Sequence, residues 1–283
     1  MARGLPFTTG GLTALIALLL VQETFSTDQV NHLLVHESPE STDHVNHQCP
    51  PSSCGNIHTI SYPFRLKSDP DTCGDIRFNL SCENNLTVLN LSEFGPSKYY
   101  VQEINYNNYT IWIVDSGIQK DNYSSTPTYS LNRFKFSPFT SVYTTYQPKR
   151  TKRERNPELS RSVVLMSCEK PLNSPFYLDT STCNNSSNIS SSHSMRKRYR
   201  YVKVGTTKAA DVEESCKVEQ MFRTSWPRSD DPNNISCKDI HNELVYGFEL
   251  SWLEATCDNY CGRMMDSCYL NGENHVHCKY SGK

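Results

Sequence analysis

The sequence is poor in apolar residues: they make up 36% of its 283 residues. An ordinary globular chain carries roughly 45–50%, a norm that also counts glycine. Mean hydropathy is −0.59, which excludes a polytopic membrane protein. Past the N-terminus, no window approaches the run of about 18 apolar residues that a spanning helix needs. Neither sign of charge dominates, with 28 Lys+Arg against 30 Asp+Glu and a formal charge of −2. Several catalytic signatures are missing as well. There is no Gly-rich phosphate loop and no His-Arg-Asp or Asp-Phe-Gly string, so these residues do not hold a protein kinase domain. No Gly-x-Ser-x-Gly elbow occurs either. The length fits one large domain or two small ones.

Cysteine, by contrast, is plentiful. Cys49, Cys54, Cys73, Cys82, Cys168, Cys183, Cys216, Cys237, Cys257, Cys261, Cys268 and Cys278 make 12, an even number. Residues 1–25 have the form of a signal peptide: a basic start at Arg3, then an apolar core of about ten residues, Leu12–Val21. In the oxidising compartment that such a leader implies, the cysteines predict up to six disulfides. Each contributes about 2–4 kcal/mol and so offsets a modest core. Spacing does not dictate their pairing; partners are expected to stay within each half of the chain. Asn-x-Ser/Thr sequons begin at Asn79, Asn85, Asn90, Asn108, Asn122, Asn184, Asn185, Asn188 and Asn234, and mark expected solvent-facing glycosylation sites. The chain ends at Lys283 in a polar stretch with neither an anchor nor a lipid-anchor tail. The expected product is secreted or extracellular, unless a longer isoform carries a transmembrane helix.

Residues 26–48 are polar and contain a short duplication, Thr27–His32 repeated as Thr42–His47, and are expected to be a flexible linker. Their histidines, His32, His36, His44 and His47, are read as a solvated tail rather than a metal site. Residues 49–136 hold short runs rich in β-branched and aromatic residues, at Thr59–Tyr62, Leu86–Leu91, Tyr99–Ile104 and Tyr109–Val114. Residues 137–162 are Pro-, Thr- and Lys/Arg-rich and are expected to be a basic linker or loop. A second cysteine-rich module follows over 163–283, in which 208–224 is the best candidate for a helix. The expected fold is therefore mainly β and disulfide-rich, two cysteine-rich modules joined by a basic linker, with few helices. Charge is uneven: residues 126–208 hold 15 bases and 4 acids, a net +11 inside a nearly neutral protein. The densest clusters are Lys149–Arg155 and Arg196–Arg200.

Cys49-x4-Cys54-Gly55, Ile60-Ser61-Tyr62-Pro63-Phe64, Cys73-Gly74 and Phe78-x-Leu80-x-Cys82 form a compact constellation. It resembles the galacturonan-binding domain of plant wall-associated receptor kinases. Tyr99-x-Val101-x-x-Ile104 and Ile113–Ile118 continue the likeness, with Ser116 where the family more often has proline. Further on, Ser167-Cys168 through Cys183, Tyr201–Gly205, Asp211–Met221 and Thr224–Pro227 look like ectodomains of the leaf-rust-resistance-kinase-like branch. Gly247-Phe248-x-Leu250-x-Trp252 with Cys257, Cys261 and Cys268 resembles that family's carboxy-terminal associated domain. The likeness spans about residues 49–278. Two departures stand out. Asp266-Ser267 replaces the usual Gly-Gly, and the transmembrane helix and kinase that normally follow are missing.

The resemblance implies noncatalytic binding of pectin, an acidic wall polysaccharide, by a receptor-like protein that uses no cofactor and binds no nucleic acid. Receptor kinases are possible partners. Carboxylates call for cations and sugar rings for aromatic faces. The candidates are Arg65, Lys67, Arg77 and Lys98, with Tyr62, Tyr99, Tyr100 and Trp112 as platforms. The domain's own acidity over 49–125, 5 bases against 8 acids, leaves long-range attraction of a polyanion to the basic block. The competing reading is a protein- or peptide-binding ectodomain, a soluble decoy or co-receptor that holds no sugar. Two other classes are weaker. Ile113-Val114-Asp115-Ser116-Gly117 mimics an aspartic-protease signature but occurs once, where that chemistry needs two carboxylates. Cys257, Cys261, Cys268, His275, His277 and Cys278 could be drawn as a zinc site, but the spacing lacks a second close ligand pair.

Overall fold

Side chains that alternate between core and solvent build the main sheet. In β7 (Thr110–Asp115), Ile111 and Ile113 point inward while Trp112 and Val114 are half-buried on the other face. In β6 (Lys98–Asn105), Tyr99 and Val101 point inward between Lys98, Tyr100 and Gln102. The computed structural model describes residues 49–91, 97–123, 125–131, 136, 141–147, 158–174, 176–180, 198–225, 236–261 and 267–279. The expected signal peptide, the 26–48 linker with its histidines, Lys149–Arg155, Cys183, Asn184, Asn185, Asn188 and Asn234 lie outside these residues.

A hairpin of β1 (Ser52–Cys54) and β2 (Ile57–Ile60) opens the fold. Next come β3 (Arg65–Leu66), β4 (Asn79–Glu83) and β5 (Leu86–Asn90). The six-stranded sheet has the order β12-β7-β6-β5-β4-β3, antiparallel except for the parallel pair β3–β4. Its last strand, β12 (Phe248–Ser251), comes from far along the chain and pairs Phe248 with Ile113 and Leu250 with Ile111. Four of the expected strand runs are strands, the first of them displaced to Ile57–Ile60.

A second, four-stranded antiparallel sheet, ordered β11-β8-β10-β9, consists of β8 (Arg161–Cys168), β9 (Leu178–Asp179), β10 (Tyr199–Val204) and β11 (Cys216–Thr224). The helix expected over 208–224 is not there. A 3-10 turn, Ala209–Asp211, leads into β11, which pairs along β8 and is bonded at Cys216 to the directly opposed Cys168. Cross-strand pairing overrides a helical composition.

Two helices flank β12. Helix α1 (Cys237–Tyr246) starts with a reciprocal cap. The Ser236 hydroxyl accepts from the Asp239 backbone at 3.2 Å, and the Asp239 carboxylate accepts from the Ser236 backbone at 2.8 Å. It stops at Gly247, whose φ of +82° and close approach to the Ile113 carbonyl suit glycine. Helix α2 (Leu253–Cys261) is tied by Cys257–Cys268 and Cys261–Cys278 to the hairpin of β13 (Ser267–Leu270) and β14 (Val276–Lys279). Cys49–Cys73 and Cys54–Cys82 brace the first segment. All five described bridges stay within their own half of the chain, and Cys237 is disulfide-bonded too.

The main core joins Phe64, Phe78, Leu80, Tyr99, Ile111 and Ile113 to Phe248, Leu250, Trp252 and Ala255. Trp252 sits edge-on to Phe64 at 5.4 Å and packs on Tyr109 at 4.7 Å between ring centroids. The second expected module thus supplies a strand and core residues to the first, while Val163, Val202, Phe222 and Ile240 form a smaller cluster of their own. All described residues belong to one compact unit, residues 47–283. Among them, no helix is long and apolar enough to cross a membrane.

Candidate functional site

The four candidate cations have different surroundings. Arg65 is 4% exposed and points inward. Its guanidinium holds the 69–75 loop by donating to Asp71 at 2.7 Å and to the Asp69 carbonyl. It therefore acts as a brace and offers no free fork to a polymer. Lys67 is exposed beside β3. Lys98 donates to Glu83 at 2.5 Å and lies 5.7 Å from the centre of the Tyr100 ring. That hydrogen bond and charge hold the Glu83 carboxyl below its ordinary range. Arg77 forks onto Asp75, its Nε reaching the two carboxylate oxygens at 3.1 and 3.0 Å and its Nη2 reaching Oδ2 at 2.5 Å. Burial pushes the Asp75 carboxyl up, but the hydrogen bonds and charge of Arg77 outweigh it and the net direction is down.

The aromatic candidates divide in the same way. Tyr99 is fully buried in the core, so it presents no face to a sugar. Trp112 is half-buried; its indole donates to the Tyr246 carbonyl at 2.5 Å and its ring lies 4.6 Å from that of Tyr246. Its neighbours across the sheet are Glu103 and Glu249, an acidic setting for an acidic polymer. Tyr100 is half-buried on β6, next to Lys98. Tyr62 is 40% exposed, and its phenol is pushed up by burial and by Asp75.

Tyr62 and Arg77 come together through a residue that sequence reasoning missed. Arg77 Nη2 also donates to Asn259 Oδ1 at 2.8 Å, and the Asn259 side chain hydrogen-bonds the Tyr62 phenol. Next to Asn259, Tyr260 is exposed. A signal for these residues existed: Cys257 and Cys261 stand four apart, which on a helix puts both on one face and turns Asp258, Asn259 and Tyr260 away from it. All three are exposed.

The remaining candidates have structural settings. Asp115 is buried and accepts from the backbones of Gly117 at 2.8 Å, Thr128 at 2.9 Å and Tyr129 at 3.3 Å, which anchors the loop after β7. The sulfurs of Cys257, Cys261, Cys268 and Cys278 are joined in pairs, so they are not thiolates a zinc ion could take. Among the described residues there is no metal-ligand cluster. Of the described sequons, Asn85 and Asn108 sit in exposed turns and Asn122 is exposed. Asn90 is half-buried, as is Asn79, whose Oδ1 is enclosed.

Residues 49–115 match the family described as wall-associated receptor kinase galacturonan-binding. That segment is similar to the family's domain, and the match ends at Asp115. The match takes in the β1–β2 hairpin, both N-terminal disulfides, β3 to β7 and the Tyr62–Arg77 side of the patch. The domain's sixth strand and its Asn259–Tyr260 neighbours come from residues beyond the match. No curated protein and no solved structure matches the chain.

Proposed function

We propose that the chain is a noncatalytic extracellular module that binds galacturonan, the acidic backbone of pectin, through its domain at 49–115. The observation that carries this reading is the family match over those residues. Lys67, exposed, and Lys98, partly exposed, support it as cations on that domain. The basic stretch at Lys149–Arg155 adds long-range attraction for a polyanion. The leader at 1–25 directs the chain to the secretory pathway, and glycans at Asn85 and Asn108 would occupy exposed turns. Residues 163–283 act as the carboxy-terminal domain of the same receptor-like ectodomain.

The test is titration of the secreted, purified protein with oligogalacturonides across a salt series. Binding that weakens with salt is expected, with a shallower dependence after neutralising Lys149–Arg155. Silence towards all galacturonans, combined with capture of a defined peptide or protein partner, would move the reading to a protein-binding ectodomain. Release of new reducing ends from pectin would overturn the noncatalytic assignment.

A further inference from the structure

Among the described residues, six large apolar side chains are exposed: Tyr62, Ile76, Leu86, Tyr123, Phe176 and Tyr260. Tyr62 and Tyr260 share one neighbourhood, and Ile76 adjoins it in the chain. Tyr62 is 40% exposed, Ile76 72% and Tyr260 71%. Ile76 precedes Arg77 in the same 3-10 turn, and Tyr260 follows Asn259 on α2. The Asn259 amide is fixed at the centre, accepting from Arg77 at 2.8 Å and bonded to Tyr62.

The neighbourhood is rigidly mounted. Tyr62 precedes Pro63, whose carbonyl accepts from the Asp75 backbone at 2.9 Å, so its loop is tied to the loop that carries Arg77. On the other side, the disulfides at Cys257 and Cys261 bracket Asn259 and Tyr260. Two exposed tyrosines on braced supports lose little freedom when a flat ligand stacks on them.

The charge balance narrows the ligand. The Arg77 guanidinium is forked onto Asp75, and Asp258 also acts on it, so one cation faces two carboxylates. Among the described residues, a free uronate would meet no net positive charge here and would have to compete with Asp75 for the fork. An uncharged sugar meets no such competition. It would find two ring faces for stacking and an isoleucine for a methyl group.

We propose that Tyr62, Ile76, Arg77, Asn259 and Tyr260 form a sugar subsite for an uncharged pyranose ring, which in a galacturonan is a methyl-esterified residue. The proposal rests on the galacturonan reading above and gives it a specificity: α2, outside the family match, completes a subsite for ester-bearing stretches of the polymer, and cations elsewhere attract the free acids.

The experiment titrates wild type, Tyr260→Ala, Tyr260→Phe and a control, Tyr123→Ala, with fully methyl-esterified and fully de-esterified oligogalacturonides of equal length. Circular dichroism melts confirm folding, which an exposed side chain should not disturb. Tyr260→Ala is expected to weaken the esterified oligomer about three- to tenfold, the size of a lost stacking contact, and to leave the de-esterified one unchanged. Tyr260→Phe and Tyr123→Ala keep wild-type affinity, and the esterified oligomer binds independently of salt. If wild type binds a galacturonan but Tyr260→Ala weakens neither oligomer, both equally, or the free acid alone, the subsite is overturned while the galacturonan reading stands. If wild type binds neither oligomer, that reading falls and the subsite with it.

Discussion

Glu249 shows how a half-buried carboxyl on the sheet reports on pH. Burial, and then the like charge of Glu103, push its titration above the ordinary glutamate range. Below the ordinary value the group is neutral in both folded and unfolded chains, and its contribution to stability is intact. As pH rises through the elevated folded value, charge forms in an unfavourable place and stability is lost. Glu249→Gln should therefore leave the melting temperature unchanged in acid and raise it by about 1–3 °C at neutral pH, read from thermal melts at both. Tyr99 carries a second prediction at this scale. Its hydroxyl is buried with no hydrogen-bond partner among the described residues, so Tyr99→Phe should shift unfolding free energy by less than about 1 kcal/mol in urea titrations. Both Tyr99 and Arg65 read as surface candidates in the sequence. Residue type alone does not reveal which face of a strand turns inward. The pairing register decides that, and a one-residue slip would reverse it.

Among the elements, β11 and α2 show what local signals can and cannot do. The stretch Cys216-Lys217-Val218-Glu219-Gln220 alternates half-buried and exposed positions, a period of two that a reading based on helical composition passes over. The reciprocal cap at Ser236 and Asp239 went unread in the sequence, because it follows a stretch with no hydrophobic periodicity to draw attention to it. The strand runs at 86–91, 99–104 and 109–114 were legible because β-branched and aromatic residues dominate them. Helix α2 depends on covalent support: Cys261 and Cys278 are 17 residues apart and join it to a hairpin. Replacing both with serine should lower stability by about 3 kcal/mol in urea unfolding, on the chain-entropy account of a loop that size. An unchanged midpoint would show that the Cys257–Cys268 bridge and the packing of Leu253 and Leu270 hold the helix without the second bridge.

For the whole molecule, the fold class and disulfide character were legible from composition and cysteine count, because both follow from bulk properties. The sharing of strands between the two halves was not. Contact between Ile113 and Phe248 spans most of the second half, and no local pattern encodes it. Residues 49–136 produced alone should therefore aggregate, or stay uncooperative in melts, because Phe64, Phe78 and the open edge of β7 lose Trp252 and β12. A monodisperse fragment with a sharp transition would refute this. The far origin of β12 also bears on synthesis. At 5–20 residues per second, a ribosome needs roughly 7–27 s to travel from Asp115 to Ser251. For that interval the nascent chain offers its first five sheet strands without the sixth, an unfinished edge that stays open until the last strand arrives to close it.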